Sequence, residues 1–259
     1  MNKQQLVTLN QWFDTYVQGF YDMEPDDLRN ISLKVEHTRK VCEVIELLSA
    51  GEGLNAEETC LASAIALLHD VGRFPQYRRW RTFRDSESDN HARLSLEVIR
   101  NQELLCHLPE SERMTIEEAV RFHNLLQLPA KLSSPTPLFA RLIRDADKLD
   151  IWRVFMDFFH TPLNERASAV TLGLPDLPSV SPECVASLAA GKVVHLDTVN
   201  LVNDFVLLQI SWVYDLNFRS SCRLLQQRGY IQELAGTLPE SADVQKAIAT
   251  AINTINERC

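Results

Sequence analysis

The run Leu61-Ala62-Ser63-Ala64-Ile65-Ala66-Leu67-Leu68 constrains this chain more than any other stretch, because it is apolar on every side and ends on His69-Asp70. Such a run, bounded by capping signals, reads as a helix buried on all faces. An imidazole and a carboxylate at the end of a buried helix are costly unless they are paired or hold a metal ion. Asn55 with Glu58 makes a capping box that starts the helix, and Gly72 is its expected C-terminal stop.

Apolar residues recur at three- and four-residue spacing along most of the chain, strict alternation is rare, and only 8 of 259 residues are glycine. That pattern predicts an all-α protein. Leu6, Leu9, Phe13, Val17 and Phe20 form one stripe of a helix over 3–20, and an acidic link, 22–27, leads to a helix over about 31–49 that carries His37. Residues 73–88 break the periodicity and read as a loop. Ser88 or Asp89 then caps a helix bearing His91, and Thr115 with Glu118 caps one running to His123.

Beyond a connector with Pro129, Pro135 and Pro137, a long helix from Leu138 to about Phe159 turns Leu142, Ala146, Leu149, Trp152 and Phe155 inward. A Pro- and Ser-rich stretch, 162–183, precedes a final helical portion whose dominant stripe is Val202, Phe205, Leu208, Trp212 and Leu216. One helical domain over 1–259 is expected, with a C-terminal helical extension from about 183 to 259 wrapping the same core.

A net charge of −9 argues against duplex nucleic acid as a partner. No apolar run approaches the roughly 20 residues of a membrane span, so no membrane association is expected. Six cysteines (Cys42, Cys60, Cys106, Cys184, Cys222 and Cys259) show no CxxC spacing, and no signal-like segment opens the chain. Both features fit reduced thiols in a cytoplasmic protein. The N-terminal helix and the Trp212–Tyr214 segment each offer a surface for internal packing or for a homo-oligomer.

Chemistry concentrates in His37, His69-Asp70, His91, His123 and Asp147, which lie at or near the ends of separate helical segments. One His-Asp dipeptide occurs by chance, and a lone histidine on an apolar helix is usually a core residue; the weight lies in the set. Imidazole and carboxylate donors suit a divalent ion such as Mn, Fe, Co, Ni or Zn. An incomplete protein shell leaves room for water, whose pKa a metal lowers from about 15.7 toward about 7. With His91 and His123 the set holds enough ligands for two ions, an arrangement that clamps the attacking and leaving oxygens of a phosphoryl transfer. Asp145 competes with Asp147, since residues two apart on a helix cannot face the same way, and periodicity leaves that choice open.

Five arginines (Arg73, Arg78, Arg79, Arg81 and Arg84) crowd residues 73–84. Guanidinium forks match phosphate oxygens, and the interleaved Tyr77, Trp80 and Phe83 can stack on a base. Lys148 adds a cation beside Asp147.

The pattern His37…His69-Asp70…Asp147 resembles the H…HD…D signature of the HD-domain superfamily of metal-dependent phosphohydrolases, over about residues 30–155. That resemblance implies an all-helical fold, a divalent metal held by those four residues, and Asp147 rather than Asp145 as the last ligand. His91 and His123 resemble the subset with a binuclear centre, in which the residue matching Asp70 bridges both metals. Arg73, just after the HDxG turn, is then expected to approach the substrate phosphate.

The stretches His69-Asp70-Val71-Gly72-Arg73-Phe74, Thr82-Phe83-Arg84-Asp85, Ser88-Asp89-Asn90-His91-Ala92, His123-Asn124 and Ile210-Ser211-Trp212-Val213-Tyr214-Asp215 look like a little-characterised bacterial group of HD proteins. Gly229-Tyr230 is followed by Ile231, so the Gly-Tyr-Pro signature of cyclic-dinucleotide phosphodiesterases is absent.

The resemblance implies a phosphohydrolase or phosphodiesterase acting on a small phosphorylated metabolite, foremost a nucleotide, by attack of metal-bound hydroxide on phosphorus. Asp70 and Arg73 are the expected catalytic residues, with Arg73, Arg78, Arg79, Arg81 and Lys148 binding substrate. Some proteins with six such ligands instead hold a mixed-valent di-iron centre that oxidises a C–H bond with O₂. A metal- or nucleotide-binding regulator without turnover is the third expectation.

Overall fold

A computed structural model describes residues 1–259, and every regular element in it is helical. The chain forms two compact units, Met1–Asp150 and Ile151–Cys259. In the first unit the helices are α1 (Lys3–Gln18), α2 (Pro25–Gly51), α3 (Ala56–Leu68), α4 (Arg73–Trp80), α5 (His91–Asn101) and α6 (Glu110–Phe122); α7 (Thr136–His160) supplies its last residues.

The apolar run is α3, and it is the hub of this unit. The Asn55 side chain accepts from the backbone N–H groups of Glu57 and Glu58, while Glu58 accepts from the Asn55 N–H at 2.9 Å. Residues Leu61 to Leu68 are all at most 6% exposed, with α1, α2 and α6 packed around them. Burial of each large member, such as Ile65 or Leu67, contributes roughly 1.5–3 kcal/mol. Phe13 and Tyr16 of α1 and Phe20 just beyond it surround Phe74 of α4 at ring-centre distances of 5.5–6.0 Å. The Tyr16 hydroxyl donates to the Val71 carbonyl at 3.1 Å. The N-terminal helix thereby seals the outside of the turn that follows His69-Asp70.

Several local expectations need correction. The acidic link is shorter than expected, because Pro25 opens α2 with Asp26 and Asp27 in its first turn; a preset φ and acidic residues near the helix N-terminus favour that start. Residues 73–80 are helical and not part of a loop. Their arginines dilute the apolar signal, yet Phe74 and Tyr77, three apart, are buried together with Gln76.

Gly72 is not a left-handed stop, since its φ is −69°. A Cβ there would lie 2.3 Å from Ser95 N and 2.6 Å from His91 O, so the residue is glycine because α5 crosses against it. Ser95 ties this crossing, accepting from the Gly72 N–H at 2.9 Å and donating to His69 O at 2.8 Å.

Helix α5 is capped by Asn90, whose side chain accepts from the Arg93 N–H at 3.0 Å, and not by Ser88 or Asp89. Helix α6 starts at Glu110, so Thr115 lies inside it and bonds back to Ser111 O. Along α7, Leu142, Ala146, Leu149, Trp152 and Phe155 are all buried, in keeping with the expected inward face.

The second unit contains α8 (Pro182–Ala189), α9 (Val202–Ser211), α10 (Arg219–Arg228), α11 (Tyr230–Gly236) and α12 (Ala242–Arg258). Helix α12 lies against α8, α9 and α10. Buried Asp204 accepts from Ser181 N and Oγ and from the N–H groups of Asn200 and Leu201 at 2.6–3.1 Å, pinning the start of α8 to the start of α9. The buried face of α9 is broader than the expected stripe: Val206, Leu207 and Ile210 are fully buried while Phe205 and Trp212 are only half-buried. All six cysteines are free. No helix is long and apolar enough to cross a membrane.

Candidate metal centre

Five helices deliver the chemistry-bearing residues to one place in the first unit. His37 comes from α2, His69-Asp70 from the end of α3, His91 from the first position of α5, His123 from just beyond α6, and Asp147 from α7. Three overlapping groups form: His37, His69 and Asp70; His69, His123 and Asp147; Asp70, His91 and His123. Within each, the donor atoms lie within 4.8 Å of one another. The sequence alone left Asp145 and Asp147 as alternatives. The residue beside the histidines is Asp147, with Oδ1 3.1 Å from His37 Nε2 and 3.7 Å from His69 Nε2.

The histidines share one orientation. His37 Nδ1 donates to Asp150 Oδ2 at 2.8 Å, and His91 Nδ1 to Asp85 Oδ2 at 2.6 Å. His69 Nδ1 donates to Ala66 O and His123 Nδ1 to Val120 O, each at 2.7 Å. Those carbonyls belong to the last turns of α3 and α6, where helix carbonyls lack intrahelical partners. Carbonyl and carboxylate oxygens only accept, so each Nδ1 carries the proton and each Nε2 presents a lone pair.

Asp70 divides those lone pairs into two sets. Its Oδ2 lies 3.7 Å from His37 Nε2 and 3.8 Å from His69 Nε2. Its Oδ1 lies 3.7 Å from His91 Nε2 and 4.0 Å from His123 Nε2. The buried atoms His37 Nε2, His69 Nε2 and Asp70 Oδ1 make no hydrogen bond. Buried acceptors converging without donors are costly, and a cation is the group that satisfies them. The donor set therefore fits divalent metal ions.

Electrostatics hold Asp70, Asp147, His91 and His123 in the protonation states that metal binding requires. Burial opposes the Asp70 charge, but Lys34, His69, Arg73 and His91 hold its carboxyl well below the usual range. Burial likewise opposes the Asp147 charge and is outweighed by the neighbouring His37 and His69 imidazoles, which hold its carboxyl well below the usual range. Burial pushes the His123 imidazole down to about 3, with His91 and His69 adding to the effect. Burial and then Arg73 lower His91. His37 alone rises, since Asp147 and Asp150 outweigh burial and Lys34.

The arginines separate into two kinds. Arg73 Nη1 donates to Phe83 O at 2.7 Å, Gln76 Oε1 at 2.9 Å and Asp85 Oδ1 at 3.0 Å. Its Nε stands 3.4 Å from Asp70 Oδ1, buried and without a hydrogen bond. Arg78 instead pairs with Asp22 and Gly19 O, Arg81 with Asp27, and Arg84 with Glu87, while Arg79 lies over the Trp80 ring. Tyr77 and Phe83 are buried against one another, and the Tyr77 hydroxyl donates to Asp27 at 3.0 Å, so neither is free to stack on a base as expected. Lys148 is largely buried next to Asp147.

Three residues of the centre were not singled out from the sequence. Asp150 and Asp85 back His37 and His91, and Lys34 pairs with Asp70. Lys34 precedes His37 by three residues and Asp150 follows Asp147 by three, spacings that share a helix face. No sequence spacing leads from Asp85 to His91, because a short 3-10 turn, Asp85–Glu87, and a bend at Ser88 lie between them.

Comparison with known proteins agrees with this geometry. The family model described as HD domain matches residues 35–152, which contain every one of the six clustered residues. No curated protein and no solved structure matches the chain. The match over residues 35–152 supports membership of the HD-domain superfamily.

Proposed function

We propose that this HD domain is a metal-dependent phosphohydrolase acting on a small phosphate ester, with nucleotides the first substrates to test. The observation that carries the reading is the division of Asp70, one oxygen toward His37 and His69 and the other toward His91 and His123. In this reading His37, His69, Asp70 and Asp147 would hold one divalent ion, and Asp70, His91 and His123 would hold a second. Such ions supply Lewis acidity toward phosphate oxygens and acidify water.

The chain's own residues supply the rest. Asp85 and Asp150 fix the imidazole rings and keep the proton on Nδ1, as carboxylates behind metal-binding histidines do. Arg73 is immobilised by Gln76, Phe83 and Asp85, which leaves its buried Nε as an unused donor beside Asp70. A phosphate oxygen is the partner that donor lacks. Arg78 and Arg81, neutralised by Asp22 and Asp27, have no part in phosphate binding in this scheme.

Phosphate release from nucleotides, cyclic nucleotides and sugar phosphates, with Mn²⁺, Co²⁺, Ni²⁺ or Mg²⁺, tests the proposal. Turnover should require metal and vanish in Asp70→Asn. Undiminished turnover in that variant, or none across the panel with protein shown to carry metal, would overturn it.

A further inference from the structure

Lys34 occupies a position that the scheme above leaves unused. It lies on α2 one turn before His37, with its side chain 16% exposed and Nζ 2.9 Å from Asp70 Oδ2. Arg73 stands on the other side of the same carboxylate, Nε 3.4 Å from Oδ1. Both cations also lie over the Phe83 ring, Lys34 at 5.3 Å and Arg73 at 5.8 Å from its centre. Asp70 is thus held between two positive charges, one for each oxygen.

The two cations differ in freedom. Arg73 is bound by three acceptors besides Asp70. Lys34 forms its ion pair with Asp70 and carries its charge on a flexible four-carbon stem. The oxygen it contacts is Oδ2, the one turned toward His37 and His69. A divalent cation and an ammonium repel one another if both press on that oxygen within a few ångströms of each other, strongly so in a buried site. Were Oδ2 to serve an ion, Lys34, whose side chain is 16% exposed, would lose its counter-charge and be left an ammonium in need of an anion.

We propose that Lys34 is an anion-binding residue of this site, which exchanges Asp70 for the oxygens of a substrate phosphate when the centre is loaded. This assignment rests on the phosphohydrolase reading. Arg73 then sets the orientation of the phosphate from a fixed position, and Lys34 follows its charge. The alternative is a purely structural counter-ion for Asp70.

Calorimetric titration separates these roles, using Mn²⁺ and then inorganic phosphate on the Mn²⁺-loaded chain, with wild type, Lys34→Met and Lys34→Arg. Lys34→Met should bind Mn²⁺ at least as tightly as wild type, because no cation competes at Oδ2. It should bind phosphate about tenfold or more weakly, the scale of one lost charge-assisted hydrogen bond. Lys34→Arg, which keeps the charge, should retain most of the phosphate affinity. Unchanged phosphate affinity in Lys34→Met with normal Mn²⁺ uptake would overturn the assignment and leave the phosphohydrolase reading standing. Weakened Mn²⁺ binding with a lowered melting temperature would make Lys34 a structural counter-ion and overturn it too. A wild-type chain that takes up Mn²⁺ but binds no phosphate would overturn both readings together.

Discussion

The Nε2 atoms of His91 and His123 face each other at 3.0 Å, each belonging to a ring whose proton is held on Nδ1. Two lone pairs at that separation repel, and burial lowers the proton affinity of both rings. A metal ion relieves the conflict for both. In the proposed two-ion centre His123 therefore serves the second ion. His123→Ala should lower the metal content of purified, Mn²⁺-saturated protein from about two ions per chain to about one. Elemental analysis against protein concentration reads this directly; two ions retained in the variant would exclude His123 as a ligand.

The backing carboxylates predict site-selective losses. Asp150 supports His37 at 2.8 Å and Asp85 supports His91 at 2.6 Å, so each serves a different histidine pair. Asp150→Ala should weaken one binding step and Asp85→Ala the other, each by roughly 10–100-fold, as loss of such a partner typically does. Mn²⁺ titration followed by electron paramagnetic resonance can resolve the two steps. Equal effects on both would mean that the pairs do not act as separate sites.

Gly72 links the His69-Asp70 turn to the fold. A methyl group there meets Ser95 N at 2.3 Å, His91 O at 2.6 Å and Leu94 C at 2.7 Å, all backbone atoms of one helix. Backbone cannot yield as a side-chain tip can, so Gly72→Ala should cost about 1–3 kcal/mol or more. It should also shift His91, and hence weaken metal binding. A thermal melt with and without Mn²⁺ checks both effects, and a variant with wild-type melting and metal affinity would contradict the close approach of α5.

Acid should destabilise the metal-free protein in a window set by His91 and His123. The His123 imidazole is lowered to about 3, against an unfolded value near 6.5. Between those values the unfolded chain binds a proton that the folded chain does not, so stability falls as pH falls. His91 contributes with the same sign. His37 is raised, so its contribution is complete below about 6.5 and varies only above it. Asp70 and Asp147 are lowered, and theirs is lost only below about 3.9. Urea midpoints measured in EDTA should therefore drop from pH 6.5 to pH 4.5, and His123→Asn should flatten that slope. A midpoint that rises over the window would reverse the assigned signs.

Much of the centre was legible from the sequence because its parts are local. The apolar run of α3 with its Asn55–Glu58 cap fixes a buried helix, and a buried helix ending in His-Asp needs a cation or a partner. The inward face of α7 follows from spacing alone, because burial of one helical stripe repeats every three or four residues. Spacing could not decide between Asp145 and Asp147. Family resemblance pointed to Asp147, and the position of α7 against α2 puts Asp147, 19% exposed, beside His37 while Asp145 is wholly buried.

Tertiary structure decided what spacing cannot encode. Helix α4 is masked in the sequence by its arginines and by Arg81 just after it: Arg78 and Arg81 turn outward to Asp22 and Asp27, Arg73 faces Asp70, and Phe74 and Tyr77 fill the core. Gly72 owes its identity to a helix that begins 19 residues later, at His91, so no local turn rule could explain it. The ion pair from Lys34 to Asp70 and the bond from His91 to Asp85 depend on where helices cross and where the 85–89 segment bends. The sequence by itself determined which residues can bind a metal and that their helices have buried faces. Only the packing determined which way each imidazole points and which cation faces Asp70, because both depend on distances between elements remote along the chain.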